Sequence, residues 1–475
     1  MSTQEFKRRR RQLMGMMDEH SVAILPTAPV YIRNRDVEFP YRPDSDFFYL
    51  TGFPEPEAVV VLIPGREHGE YILFCRENDP KMETWNGPRA GQEGAIANYH
   101  ADDCFPIGDI DDILPGLLEN KARVFYTMGA HPDFDRRLIG WVNHLRKQSR
   151  AGIHTPGEFV ALDHLVHDMR LYKSSFEIKA MRLAAKISAE AHTRAMQHCK
   201  PGMMEYQLEA ELLHTFMYHG ARSPAYASIV GSGVNGCILH YVENSAKMKD
   251  GDLVLIDAGA EIECYAADIS RTFPVNGRFS PAQKVLYELV LATQLAAIEQ
   301  VQPGNHWNDP HEAAVKVLTQ GLKDLGLLKG TLKTLLKNQA YRQFYMHRTG
   351  HWLGLDVHDV GDYKIDTQWR VLEAGMILTV EPGLYIPAGI KGVAKKWWNI
   401  GIRIEDDVLV TRDGHEVLSD GVVKHVDDIE ALMASKKVAQ GNVGSRRVKP
   451  KAVVKAKPKV KARSKIVARK RKATK

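Results

Sequence analysis

Cysteine is scarce and scattered in this chain: five residues in 475 (Cys75, Cys104, Cys199, Cys237 and Cys264), odd in number and without a C-x-x-C pair. That excludes a disulfide framework and a thiolate zinc knuckle, and fits reduced thiols in a cytoplasm. No apolar run reaches the roughly 18–20 residues that span a bilayer, so a membrane protein is excluded. The basic cluster Arg8–Arg11 has no apolar segment behind it, and Asp18 and Glu19 follow soon after. The start therefore reads as a helix with a charged, solvated face, not as a secretory or twin-arginine signal. There is no Walker loop and no G-x-S-x-G elbow. Acidic residues are missing altogether from Lys436 to Lys475.

That last absence changes the meaning of the net charge. The whole chain carries 64 Lys+Arg and 58 Asp+Glu, formally +6, but 17 of the basic residues lie in 436–475. Positions 1–435 keep 47 basic against 58 acidic residues, a net charge of −11. The tail has no aromatics and little to bury, so it is expected to be disordered. It reads either as an arm for weak, nonspecific binding of nucleic acid or another polyanion, or as a dispensable solvated tail. Without aromatics it would neither read sequence nor stack bases.

Hydrophobic residues at 44% and charged residues at 26% describe a globular body long enough for two or three domains. Residues 1–172 alternate short apolar strands with turns and helices, the strands expected at Ser21–Leu25, Phe47–Leu50, Ala58–Ile63, Tyr71–Cys75 and Arg123–Tyr126. This predicts an α/β domain. A second domain over 173–435 opens at Ser174-x-x-Glu177, a capping box, followed by Ile178, Met181, Ala185 and Ile187 at helical spacing. Tyr206, Leu208, Leu212 and Phe216 predict another helix stopping at Gly220. Two more are expected after Ser280-Pro281 and Asp309-Pro310, each a capping residue ahead of proline. Strands are expected at Leu253–Asp257, Tyr265–Phe273, Ile377–Glu381, Gly401–Glu405 and Val408–Val410, which makes the domain α+β.

Two motif matches fail on context. Gly231-Ser-Gly-Val-Asn-Gly236 fits G-x-G-x-x-G, but Cys237-Ile-Leu-His-Tyr-Val-Glu follows with no helical period, so a glycine-rich turn is expected. His311-Glu312 begins like H-E-x-x-H, but Val315 stands where the second histidine belongs.

The chemistry lies in acids and histidines set among apolar strands. Asp257 ends LVLIDAG, where a carboxylate is costly to bury unless it is paired or binds metal. Asp268 follows in AADISRTF, and a short hairpin between them would bring both carboxylates to neighbouring strand positions. Glu381 in ILTVEPGLY and Glu405 in GIRIEDD again stand behind β-branched apolar runs, and His347, His351 and His358 cluster in one segment. Singly, each reads as a turn former, a solvated acid or a satisfied polar group. Together, four carboxylates and an imidazole make a hard, oxygen-rich site suited to two divalent ions such as manganese, cobalt or zinc. Such a pair can share a bridging hydroxide and polarise a carbonyl, which is a hydrolytic arrangement.

With DSDFFYLTGFPEPEAVVVL, IVGSGVNGCILHYVEN, HWLGLDVHDVG and IGIRIEDDVLVT, these stretches resemble aminopeptidase P over about residues 5–432. This is the Xaa-Pro aminopeptidase branch of the creatinase-like pita-bread metallopeptidases. The resemblance implies an α+β pita-bread catalytic domain preceded by a smaller α/β domain, two divalent ions (Mn²⁺, with Co²⁺ or Zn²⁺ as alternatives), and a cytoplasmic homotetramer. It implies release of the first residue from peptides with proline second. Asp257 would hold one ion, Asp268 and Glu405 would bridge both, and His351 with Glu381 would complete the other. Glu381 is also the natural proton shuttle. His240 and His358 match histidines that stabilise the scissile carbonyl, His347 matches one lining the proline pocket, and Tyr385 matches a substrate-binding position. Arg403 matches a group beside the bridging carboxylates. One departure is the segment DYKIDTQWR (Asp362–Arg370), whose single arginine is less basic than the family leads one to expect. Prolidase, restricted to dipeptides, is the nearest enzymatic alternative. A pita-bread binding protein working through its basic tail is another, against which the complete ligand set speaks.

Overall fold

Alternation on the N-terminal strands sends Val22, Ile24, Val59, Val61, Ile72 and Phe74 to one face and Ala23, Leu25, Val60, Leu62, Leu73 and Cys75 to the other. All are buried, so both faces of this sheet must be covered. The computed structural model describes residues 3–435, and the tail expected over 436–475 lies outside the described residues. The sheet has six strands in the spatial order Asp103–Pro106, Tyr71–Cys75, Val59–Leu62, Ser21–Pro26, Arg123–Phe125 and Glu158–Val160. The helices Ile110–Leu118 and Pro132–Arg146 cover one face with Leu114, Leu118, Leu138, Trp141 and Leu145. The other face packs against the helices Thr3–Met14 and Ser45–Thr51 and against Met181, Ala184, Leu353, Leu355 and Ile377 from later in the chain. The two halves thus share a core.

Two expectations here are corrected. Phe47–Leu50 is not a strand but part of the helix Ser45–Thr51. The Asp44 carboxylate accepts the Phe47 N–H at its start, and Gly52 closes it in the left-handed region at φ 66°. The cluster Arg8–Arg11 lies on a helix as expected, with Arg8 and Arg11 exposed, but the two arginines between them are not solvated. Arg9 is fully buried, paired with Glu5 and Glu177 at 3.2 Å each, and donates to Tyr49 O at 3.1 Å. Arg10 is buried over the Tyr71 ring and donates to Leu50 O at 2.8 Å. Buried cations persist where carboxylates and carbonyls replace their hydration.

In the second half, the helix Ser175–His198 starts where expected, with the Glu177 carboxylate accepting the Ser174 N–H at 2.8 Å. The helix Glu205–Tyr218 buries Leu208, Leu212 and Phe216 but leaves Tyr206 exposed. Ser280 caps Pro281–Ile298, whereas Asp309 is the first residue of Asp309–Asp324, with Asn308 ahead of it. The strand Leu253–Asp257 lies between Ile229–Ser232 and Ser270–Pro274, antiparallel to both. Ile377–Val380 pairs with Asp406–Val410, and Gly383–Ile386 with Ile400–Arg403. This half is α+β and follows the smaller α/β half, as expected. The continuous strand expected over Tyr265–Phe273 is broken: Tyr265–Ala266 closes a hairpin with Glu261–Ile262, and Asp268 falls in the gap before Ser270.

The glycine-rich segment is a turn. The strand ends at Ser232 and a single 3₁₀ segment, Gly233–Cys237, follows. A Cβ on Gly401 would lie 2.0 Å from Gly236 O, so these glycines let two backbones meet. Among the described residues, no helix is long and apolar enough to cross a membrane.

Candidate metal centre

Three breaks in regular pairing deliver the acids to one place. Asp257 is the last residue of its strand, and the hairpin after it returns Asp268 beside it. The hydroxyl of Tyr226 lies 2.6 Å from Asp257 Oδ1 and 2.5 Å from Asp268 Oδ1. Glu381 and Glu405 fall between two ladders, after Val380↔Asp406 and before Gly383↔Arg403. Where the strands change partners, both side chains leave the pleat and turn inward. Glu381 N–H donates to Thr349 O (2.8 Å), and Glu405 N–H donates to Ser270 O (3.1 Å). Ser270 Oγ donates to Glu405 Oε2 at 2.6 Å.

His351 completes the group. Its Nδ1 faces Trp352 O at 2.9 Å, and its Nε2 is 3.4 Å from Asp268 Oδ2 and 3.8 Å from Glu381 Oε1. An Nδ1–H donated to a carbonyl leaves Nε2 to act as a ligand. Ligand atoms of Asp268, His351 and Glu405 lie within 4.8 Å of one another. The adjoining Gly350 has no room for a side chain, since a Cβ would sit 1.9 Å from Thr379 O.

The donor set fits divalent cations on electrostatic grounds. Burial, opposed by Arg403 and reinforced by Asp268, raises the Asp257 carboxyl to about 6. Burial, opposed by His351 and Arg403 and reinforced by Asp268 and Asp257, raises Glu381 to about 7. Burial and the neighbouring acids push Glu405 well above the carboxylate range. Burial alone would lower His351, but the hydrogen bond to Asp268 and the nearby carboxylates raise it to about 9. Tyr226 has one proton for two carboxylate oxygens. These carboxylates must share protons or accept cations in their place, and hard oxygen donors with one imidazole suit the second course.

Around this set, Arg403 is buried and forks across the site. It donates to Asp257 Oδ2 (2.6 Å), Ser270 Oγ (2.9 Å) and Tyr385 Oη (3.1 Å). His347 Nε2 lies 2.9 Å from Tyr385 Oη, and Nδ1 lies 2.7 Å from Arg348 O. Burial lowers His347 to about 3, so the ring is neutral, donating to Arg348 O and accepting from Tyr385. His358 is exposed, with its ring 4.3 Å from that of His351. His240 is exposed on the turn after Gly233–Cys237, close enough for its charge to bear on both His347 and His358.

Sequence reasoning passed over Tyr226, Thr349 and Asp407. Asp407 accepts the Asp268 N–H on both carboxylate oxygens at 3.2 Å. Asp407 and Ser270 stood inside the stretches that carried the resemblance and Thr349 inside the histidine cluster; Tyr226 had no local signal at all. The single arginine of 362–370 is not free at the site: Arg370 is buried and paired with Asp168 at 2.5 Å.

The chain is similar to known metallopeptidases along most of its length. Residues 179–412 match Metallopeptidase family M24, and residues 6–126 match the aminopeptidase P N-terminal domain. The chain is 47% identical to Xaa-Pro aminopeptidase of Escherichia coli strain K12 over 436 residues, covering 92% of this chain and 98% of the relative. Among solved structures, an aminopeptidase PepP of Pseudomonas aeruginosa superposes with a TM-score of 0.91 at 63% identity, covering 92% of this chain and 99% of that one. A zinc-substituted Escherichia coli aminopeptidase P in complex with product superposes at 0.89 and 46% identity, covering 91% and 98%.

Proposed function

The chain belongs to metallopeptidase family M24 in its aminopeptidase P branch, and from that premise we propose that it is a metal-dependent aminopeptidase releasing the first residue from peptides with proline second. The observation that carries this reading is the convergence of Asp257, Asp268, His351, Glu381 and Glu405 on one buried site beside His347 and Tyr385.

Asp257, Asp268 and Glu405 would hold one ion, and Asp268, Glu405, His351 and Glu381 the other. When bound, the ions supply Lewis acidity at the scissile carbonyl and a water of lowered pKa. Manganese is the ion we propose, because the donors are almost all carboxylate oxygen. His240 and His358, at the exposed rim, orient the carbonyl. Glu381, ionised when cations occupy the site, would take a proton from the attacking water and pass it to the departing proline nitrogen. His347 and Tyr385, fixed to each other, form a wall for the pyrrolidine ring. Proline's tertiary amide has no N–H for a peptidase to grip, so polarising the carbonyl avoids that requirement.

We further propose a division at about residue 172 between a domain that shapes the site and the one that holds the ligands, and a cytoplasmic homotetramer. The exposed Tyr31, Ile32, Val37 and Phe39 offer apolar surface for subunit contact.

Turnover with Mn²⁺ tests the activity. Xaa-Pro-Xaa tripeptides are expected to release their first residue, and a chelator is expected to stop the reaction. Hydrolysis confined to Xaa-Pro dipeptides would make the protein a prolidase instead.

The basic tail, with 17 Lys+Arg and no acids, is proposed to bind nucleic acid through its phosphates. Binding to a short DNA duplex should weaken by roughly 10²-fold or more as KCl rises from about 50 to about 200 mM. Deleting residues 436–475 should abolish that binding and leave peptidase activity intact. Equal binding by the truncated protein would sink the assignment.

A further inference from the structure

The segment around His358 is clamped mainly from the N-terminal half. Arg170, at the end of the helix Asp163–Leu171 and 2% exposed, donates to Asp46 Oδ1 of the N-terminal half at 2.6 Å. It also donates to Asp356 Oδ2 (2.7 Å) and Asp359 Oδ1 (2.6 Å) of the loop. Lys173 Nζ reaches Asp359 Oδ2 at 2.9 Å. Arg42 donates to Leu355 O at 2.6 Å, and Ser45 Oγ donates to Asp356 Oδ1 at 2.6 Å. Every one of these donors precedes the ligands in the chain, and every acceptor but Asp46 lies within residues 355–359, on either side of His358.

Inside the loop the turn is tight. Asp359 N–H donates to Trp352 O at 2.9 Å, and a Cβ on Gly354 would lie 2.1 Å from Asp359 Oδ2. Gly354 O accepts the Ala266 N–H at 2.8 Å, two residues before Asp268. His358 itself is exposed, while its neighbour Asp359 is buried under Arg170 and Lys173. The exposed imidazole has no hydrogen bond of its own among those described, and its place comes from the residue beside it. A guanidinium's planar fork can take carboxylates from two segments at once, which an ammonium cannot reproduce.

We propose that Arg170 is a positioning residue for His358, tying the loop 354–359 to the N-terminal half so that the imidazole stays at the rim of the metal site. The inference rests on the role given to His358 above.

The test uses Arg170→Lys and Asp46→Asn, each in the otherwise native protein and in a His358→Ala background, all loaded with Mn²⁺ and assayed on an Xaa-Pro-Xaa tripeptide. In the native background, Arg170→Lys should lower kcat roughly 10- to 100-fold with KM changed less than about threefold, because a displacement near 1 Å costs on that order. Asp46→Asn should give a smaller loss in the same direction, and bound manganese should be unchanged in both. In the His358→Ala background, the same substitutions should change kcat by less than about twofold, since the group they misplace is gone. Equal factors in the two backgrounds would show a merely structural role and overturn the proposal, as would unchanged kcat. If Arg170→Lys does not fold, the Asp46→Asn pair decides by the same comparison. Full activity in His358→Ala alone would overturn the role of His358 itself, a failure visible in that single variant.

Discussion

Asp268→Asn is expected to lower kcat/KM by roughly 10³ or more, about 4 kcal/mol of transition-state stabilisation, and to remove most of the bound metal. The fold should survive. Asparagine keeps the shape of aspartate and an oxygen for the Tyr226 hydroxyl. It removes the charge that helps raise Asp257, Glu381 and Glu405. Relief of those acids is set against loss of the pair with His351. Burial would raise the Asp268 carboxyl, but that pair holds it below its ordinary value. The metal-free variant is therefore expected to unfold within about 1 kcal/mol of the metal-free native protein. Metal content by elemental analysis, peptide turnover and a urea midpoint check the three parts. A variant that kept both its metal and its activity would remove Asp268 from the ligand set, and the hydrolytic reading with it.

Arg403→Leu is expected to cost about 3–5 kcal/mol of stability, read from the urea midpoint of the metal-free protein. The guanidinium is buried among Asp257, Ser270 and Tyr385, and it is the cation that opposes the raised pKa of both Asp257 and Glu381. Leucine leaves Asp257 without that charge and Tyr385 without its donor. Activity should fall roughly 10- to 100-fold even with metal present, as for other groups that orient ligands. Arg403→Lys should recover only part of the stability, since an ammonium cannot span three acceptors in one plane. A leucine variant as stable as the native protein would show that the acids are already neutral without Arg403.

The two variants separate what the site needs for chemistry from what the chain needs to fold. Asp268 is held as an anion by His351 and Tyr226 while it raises the acids beside it, a conflict that metal relieves. Arg403 is the counter-charge that lets the acids be buried before metal arrives.

Much of the site was legible because strand ends are. A carboxylate closing a run such as LVLID or ILTVE has few stable fates, and three such runs in one domain, with Asp268 close behind the first, point to a shared one. Helix starts were legible for the same reason: Ser174–Glu177 and Ser280-Pro281 carry their capping chemistry within four residues. Phe47–Leu50 was misread because its apolar content suits either element, and the Asp44 cap and the left-handed Gly52 decided for helix. Arg9 was misread because nothing near it in sequence beyond Glu5 announces Glu177, 168 positions away, as a partner.

By itself, the sequence determined which side chains were available: the oxygen-rich ligand types, their order along the chain and the position of three of them behind apolar runs. These are local properties, set by a few neighbouring residues. Tertiary structure alone decided that Tyr226 lies between two carboxylates, that Thr349 and Asp407 hold Glu381 and Asp268 by their backbones, and that Arg170 fastens the His358 loop. Each of those contacts joins segments tens to hundreds of residues apart, and a burial that costs free energy singly becomes stable only when the distant partner arrives.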